Sequence, residues 1–322
     1  TLVGLRAAEP GEFTRRAFEN GRIDLAQAEG LADLLAAETE GQRRSALALA
    51  DGALGARVTG WQAQLLRASA QVEADLDFSD EGDVAAADVA LALRTLSAEM
   101  AAMLVEPGAE RLKDGLSVVL AGPPNAGKSS LINMLSDRDA AIVSAIAGTT
   151  RDRIEVPIAL DGLPLVLTDT AGLRETDDAV ESIGVDRAEE ALARADIILW
   201  LGYAHDAPPN SLLVAAKADL DPGRPGLPVS VVTGEGIAAL KSAILERARG
   251  LLPKPGAIAL HLRHRSILSA VREDLDRAIS SSDLLITAEH LRSARNILDR
   301  LTGKAGVEDM LDTLFGGMCI GK

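Results

Sequence analysis

Aromatic side chains are scarce: two Trp, one Tyr and four Phe stand among 322 residues. Ala and Leu must then fill the interior, which favours helices. A single cysteine, Cys319, excludes an internal disulfide framework and fits a reducing cytosol. No apolar run reaches the roughly 18 residues of a membrane span, so a cytoplasmic protein without a membrane partner is expected. No signal peptide is visible at Thr1. Positive charge is short as well: 33 Lys and Arg face 48 Asp and Glu, a net charge of −15. A duplex nucleic-acid binder usually carries a broad basic face, so any RNA contact here must be local or shared with a partner. The opening string TLVGLRAAEPGEF has no Met and reads as the edge of a longer chain.

What is present describes an ordinary globular interior. The chain is 47% apolar and 25% charged, and its length suggests two domains. From about Asp24 to Met103 apolar residues recur at three- and four-residue intervals, as in LAQAEGLADLLAAETEGQRRSALALA, VTGWQAQLLRASAQVEADL and VALALRTLSAEMAAML. Glu106-Pro107-Gly108 ends that pattern. The texture then becomes β-rich: LSVVLAG, and RIEVPIAL and LPLVLTD flanking the hairpin signal Asp161-Gly162. DIILWL, SLLVAAKAD and LPVSVV follow with helical stretches between some of them, which predicts an α/β sheet with mostly parallel strands. After LLPKPG the helical period returns in RSILSAVREDLDRAI and ITAEHLRSARNILDRLTG. Neither helical part buries much alone, so the simplest architecture is one all-α domain with the α/β domain inserted into it.

Two connections look too short. Ten residues, GYAHDAPPNS, separate DIILWL from LLVAAKAD, and DPGRPG is as abrupt. A parallel crossover ordinarily takes about a dozen residues or more, so absent residues are suspected at both places. Two other stretches read as surface. VEADLDFSDEGD (72–83) is a solvated helix end. HLRHR (261–265) is a surface helix start, with RNA phosphate contact as the alternative.

GPPNAGKS (122–129) fits the phosphate-loop pattern G-x-x-x-x-G-K-[ST], between a strand and a helix. Backbone N–H groups of Asn125, Ala126, Gly127, Lys128, Ser129 and Ser130 can cradle phosphate oxygens at the helix start. Lys128 would reach the β- and γ-phosphates, and Ser129 would offer its hydroxyl to Mg²⁺. Asp169 ends a β-run 41 residues after Lys128 and suits the second Mg²⁺ position, directly or through water. It opens the string Asp169-Thr170-Ala171-Gly172, in which the Gly172 N–H can face a γ-phosphate. AGTTRD (147–152) offers Thr150 as a switch ligand to Mg²⁺. Base recognition is less clean. The usual Asn-Lys-x-Asp reads Ala216-Lys217-Ala218-Asp219, so Asp219 can accept from guanine and the Lys217 stem can lie on the base, but the asparagine amide is missing. Ser230 and Val231 open the following loop, and the Val231 N–H could reach the guanine oxygen. Leu173 stands where Ras-type GTPases place the glutamine that holds the attacking water.

These strings, with GEFTRRAFENGRIDLAQAE, AAIVSAIAGTTRDRIE, DTAGLRETDDAVESIG and the terminal CIGK, closely resemble the MnmE (TrmE) family of tRNA-modification GTPases over nearly the whole chain. The resemblance implies a P-loop G domain (113–252) inserted into a helical domain (21–112 and 253–322), with 1–20 as the tail of an N-terminal folate-binding domain that is otherwise absent. It implies K⁺-activated, dimerisation-dependent GTP hydrolysis. Asn125, Ser144, the Ile146 carbonyl and Thr149 match the K⁺ ligands, with Ser144, Thr149 and Thr150 in the GTP site. A fixed cation beside the β/γ bridge offsets charge developing in the transition state. The family's catalytic glutamate falls on Glu181, acting through a water; a solvated helix-start acid is its other reading. Arg22 and Lys322 match folate-contacting positions for a formyl-tetrahydrofolate donor. Cys319 would lie near that folate, although a lone cysteine is usually a small apolar residue. The implied partner is the flavoprotein MnmG (GidA), which carries the FAD, in a heterotetramer built on a homodimer. Together they would place an aminomethyl or carboxymethylaminomethyl group on the tRNA wobble uridine. The alternative is an Era-type ribosome-assembly or regulatory switch, for which no basic GxxG loop follows the G domain; a P-loop ATPase is kept open by Ala216.

Overall fold

The computed structural model describes residues 6–77, 86–139, 155–170, 189–254, 257–304, 314–316 and 318. Two units are present. One is formed by Thr1–Ala37, Arg43–Ala109 and Pro253–Lys322, the other by Glu38–Gln42 and Glu110–Leu252. The α/β fold is thus inserted in a helical one, as the alternating texture of the sequence predicts.

The helical unit holds α1 (Glu12–Glu19), α2 (Leu25–Ala36), most of α3 (Glu40–Ala50), α4 (Ala53–Asp77) and α5 (Ala86–Val105). Asp24 starts α2 with a capping box: its carboxylate accepts from the Gln27 N–H at 2.8 Å, and the Gln27 side chain accepts from the Asp24 N–H at 3.0 Å. The long α4 buries Leu54, Val58, Trp61, Leu65 and Val72, the spacing of one helical stripe. α5 answers with Val89, Leu93, Leu96 and Met100. Only Trp61 among these core residues is aromatic, and its indole N–H donates to Glu99 at 2.9 Å. α4 ends at Asp77; Val72 belongs to the core, so the acidic stretch 72–83 begins buried, and its last six residues lie outside the described ones.

The α/β unit follows in chain order as α6 (Glu110–Lys113), β1 (Leu116–Ala121), α7 (Lys128–Asp139), β2 (Glu155–Leu160), β3 (Leu163–Asp169), β4 (Ile197–Trp200), β5 (Leu212–Ala216), β6 (Leu227–Val229) and α8 (Ile237–Leu251). The helical unit is completed by α9 (Leu262–Ser280) and α10 (Leu284–Thr302). These two pack on each other and on α5 and α4, adding Leu268, Val271, Leu275, Leu291, Leu298 and Leu301 to the shared core.

The sheet order is β2-β3-β1-β4-β5-β6, with β2 antiparallel to β3 and the other pairs parallel. β1 is buried along nearly its whole length, the continuous apolar run of a strand covered on both faces. β2 alternates exposed and buried residues at the sheet edge, where Pro157 is tolerated. The β2–β3 hairpin turns at Asp161 (φ 50°) and Gly162 (φ 75°), the doubly positive pair of a two-residue turn.

The short connection between β4 and β5 closes without an α-helix. Residues 201–211 carry one 3-10 turn, Ala204–Asp206, and β4 and β5 pair in parallel only at Leu199–Leu212 and Trp200–Leu213. Side chains brace this segment. The Trp200 indole N–H donates to the Tyr203 carbonyl at 2.8 Å, and Arg224 lies over the Tyr203 ring, 5.8 Å from its centre. Eleven residues therefore suffice for a parallel connection here, because strand overlap is reduced to two pairs and tertiary contacts replace the helix.

Candidate functional site: a phosphate loop at the strand ends

The carboxyl ends of β1, β3, β5 and β6 open on one edge of the sheet, the position at which open α/β sheets hold ligands. β1 runs into the loop 122–127, and α7 starts at Lys128. The loop conformation explains its composition. Gly122 (φ 141°) and Gly127 (φ 98°) adopt angles that side chains rarely take, and a Cβ on Gly122 would come within 3.1 Å of the Leu201 backbone. Asn125 sits on the exposed crest in the left-handed region, φ 59°, which asparagine tolerates better than most residues.

Lys128 is buried, and its ammonium donates to the carbonyls of Gly122 at 3.0 Å and Pro123 at 2.8 Å. The charge is thus held inside the loop's own curve, at the amino end of a twelve-residue helix. The β1–β3 register sets Leu120 opposite Asp169, which brings the carboxylate beside the start of the loop. Asp169 is almost wholly buried and accepts a short hydrogen bond from the Ser129 hydroxyl. Thr170, also buried, donates through both its N–H (3.3 Å) and its hydroxyl (3.0 Å) to the Leu120 carbonyl. Ser129 and Asp169 therefore converge as a hydroxyl and a carboxylate, the hard oxygen pair that suits Mg²⁺ with phosphate and water completing the shell. Among the described residues there is no cluster of three or more His, Cys, Asp or Glu that could hold a metal by itself. Ala126 is half-buried beside the loop's end, and Ser130 is exposed on the first turn of α7.

On the neighbouring strands, Ala216 ends β5 buried, its methyl group 4.0 Å from where a Cβ on Gly127 would lie. Lys217 and Asp219 are exposed just beyond it. The Lys217 ammonium donates to the Asn125 carbonyl at 2.8 Å, joining the base-reading string to the phosphate loop. Ser230 is fully buried at the end of β6; its N–H donates to the Glu235 carbonyl at 3.0 Å and its hydroxyl accepts from the Thr233 N–H at 3.2 Å. These bonds fold 230–235 into a turn and leave Val231 half-buried at its start.

The structure thus gathers Asn125, Ala126, Gly127, Lys128, Ser129, Ser130, Asp169, Thr170, Lys217, Asp219, Ser230 and Val231 at one sheet edge. Ser144, Ile146, Thr149, Thr150, Ala171, Gly172, Glu181, Cys319 and Lys322 lie outside the described residues. Arg22 belongs to the helical unit, exposed on the turn after α1, where its backbone N–H donates to the Ala17 carbonyl at 2.8 Å.

The HLRHR string proves to be neither a phosphate patch nor a solvated helix start. Arg263 holds Glu29 through two hydrogen bonds, at 2.8 and 2.7 Å, and donates to the Arg300 carbonyl at 3.1 Å. His264 is fully buried against Glu29 at 2.6 Å. Arg265 donates to the carbonyls of Leu104 at 2.6 Å and Glu106 at 2.8 Å. Burial pushes the Glu29 carboxyl up, but the bonds from His264 and Arg263 outweigh it and hold the group down at about 2. The His264 ring is pushed below its usual range by burial. Its Nδ1 accepts from the His261 N–H at 3.3 Å, so the neutral ring carries its proton on Nε2 and donates to Glu29.

A phosphate loop at the head of a mostly parallel sheet, with Ser129 and Asp169 paired beneath it and the α/β unit inserted in a helical one, defines a P-loop nucleotide-binding protein. The MnmE helical domain family matches residues 25–319. The tRNA modification GTPase MnmE of Erythrobacter litoralis is 54% identical over 329 residues, covering all of this chain and 78% of that protein. Its counterpart in Rhizorhabdus wittichii is 55% identical over 327 residues, covering all of this chain and 74% of that protein. Among solved structures, the G domain of the T. maritima FeoB iron transporter is 25% identical over 41% of this chain and 98% of that one, with a TM-score of 0.30. The chain belongs to the MnmE family of tRNA modification GTPases.

Proposed function

We propose that this GTPase is activated by K⁺, works as a dimer, and serves the modification of the tRNA wobble uridine together with the flavoprotein MnmG (GidA). The observation that carries the reading is the exposed, left-handed Asn125 on the crest of a loop that folds around the Lys128 ammonium, beside the converging Ser129 and Asp169. Ser129, Asp169 and Thr150 would hold Mg²⁺. Asn125, Ser144, the Ile146 carbonyl and Thr149 would hold K⁺, a set of neutral oxygens suited to a monovalent ion. When bound, the two ions would supply positive charge at the β/γ-phosphates.

The chain's own groups do the rest. Backbone N–H groups at the head of α7 bind the phosphates, and Lys128 exchanges its loop carbonyls for phosphate oxygens. Lys217, Asp219 and the 230–231 turn receive the guanine. Glu181 orients the attacking water in place of the missing glutamine. In the helical unit the exposed Arg22, with Lys322, offers cationic contacts to the glutamate tail of a formyl-tetrahydrofolate donor. A net charge of −15 suits a protein that leaves most tRNA binding to its partner in a cytoplasmic heterotetramer.

The experiment is a reconstituted modification reaction with the flavoprotein, tRNA, folate donor, GTP and K⁺. Wild-type chain supports formation of the modified uridine, whereas Glu181→Ala binds GTP, turns over slowly and yields no product. Product formation by Glu181→Ala at the wild-type rate would overturn the assignment.

A further inference from the structure

The α/β unit includes a short piece of chain that precedes its main stretch, Glu38–Gln42, and α3 starts within it at Glu40. A helix start leaves its first four N–H groups without intrahelical partners. Thr39 and Gln42 settle two of them as a reciprocal pair. The Gln42 side-chain oxygen accepts from the Thr39 N–H at 2.9 Å, and the Thr39 hydroxyl accepts from the Gln42 N–H at 3.3 Å. The Gly41 N–H donates instead to the carbonyl of Gly162, at the tip of the β2–β3 hairpin, at 3.2 Å. The approach is close: a Cβ on Gly41 would lie 3.1 Å from that carbonyl oxygen, and 3.6 and 3.7 Å from the Leu112 and Leu163 side chains. The Gln42 carboxamide adds a second hold, donating to the Lys113 carbonyl at 3.1 Å.

The other end of the same hairpin is the nucleotide site. Six residue pairs join β2 to β3, from Leu160–Leu163 at the tip to Glu155–Thr168, and Asp169 follows Thr168. A ladder of that length is a ribbon of about 20 Å. A ligand that engages Ser129 and Asp169 therefore acts on one end of a ribbon whose other end completes the start of α3. From Arg43 onward α3 belongs to the helical unit. We propose that the Gly162 carbonyl and the Gly41 N–H form a coupling contact, through which the nucleotide state of the phosphate loop alters the first turn of α3, with Gly41 as the positioning residue. The inference rests on the reading of the loop as a GTP site and needs neither K⁺, the flavoprotein nor folate.

The test follows amide hydrogen exchange of residues 38–50 in Na⁺ buffer with Mg²⁺, once with saturating GDP and once with a saturating non-hydrolysable GTP analogue. In wild type the first-turn amides of α3 are expected to exchange at rates about fivefold apart in the two states, the scale of one hydrogen bond made or lost. Gly41→Ala, which favours the helix but crowds the carbonyl, should shrink the difference, and Gly41→Val should remove it. By linkage the ratio of GDP to analogue affinity should shift by the same factor in Gly41→Val, which a merely structural role would not produce. Equal exchange in the two states of wild type overturns the proposal, as does, in Gly41→Val, either a difference of wild-type size or an unchanged affinity ratio. Should Gly41→Val fail to fold, Gly41→Ala decides by the same two measurements. The affinities themselves report whether the loop takes nucleotide, so a failure of that reading is seen apart from a failure of the coupling.

Discussion

Arg263, in the first turn of α9, grips both carboxylate oxygens of Glu29, on α2, while the buried His264 ring donates to one of the same oxygens. Three ionisable groups thus share a site from which most water is excluded, with Glu29 and Arg263 side chains only 10% and 18% exposed. Replacing one partner of such a pair strands the other charge, and that loss exceeds the pair's own net contribution.

Arg263→Met should therefore destabilise the helical unit by about 3–5 kcal/mol. The double replacement Glu29→Gln with Arg263→Met should recover much of the loss. Denaturant unfolding followed by helical circular dichroism checks both. A single variant as stable as wild type would mean that Glu29 finds compensation elsewhere.

The same cluster predicts how stability depends on pH. The His264 ring has a folded value below its ordinary 6.5, so the unfolded state binds the proton more readily. Its contribution is complete above pH 6.5 and is lost as the pH falls below that. Glu29 is held at about 2 against an ordinary 4.5, so its contribution is complete above 4.5 and is lost as the pH falls toward about 2. Unfolding midpoints measured from pH 7.5 to 3 should fall in two stages. His264→Gln should remove the upper one; an unchanged upper stage would assign it to another group.

None of this network could be read from the chain as a string. Glu29 lies 234 positions from Arg263, and HLRHR taken alone has the composition of a solvated or phosphate-binding face. The Lys217–Asn125 tie was hidden for the same reason, because spacing along a sequence says nothing about which loops meet at a sheet edge. What was legible is whatever local physics decides. Asp161-Gly162 demanded a tight hairpin and GPPNAGKS a strand–loop–helix. The parallel connection of 201–211 escaped because its closure depends on Trp200, Tyr203 and Arg224 meeting in space.

Ala216 supplies a prediction about base selection. Its methyl group is buried where the usual asparagine would present an amide. Restoring Asn at 216 should improve the preference for GTP over ATP by about 1–3 kcal/mol, the cost of a buried polar atom left unpaired. Competition binding of the two nucleotides measures it. Unchanged selectivity would show that Asp219 and the 230–231 turn suffice.

The most direct test of the whole account is the GTPase rate as K⁺ replaces Na⁺ at constant ionic strength, with the oligomeric state followed in parallel. The account predicts a steep rise in rate with K⁺, together with association of the chain. Equal rates in the two salts would contradict it and assign the transition-state charge to some group other than K⁺.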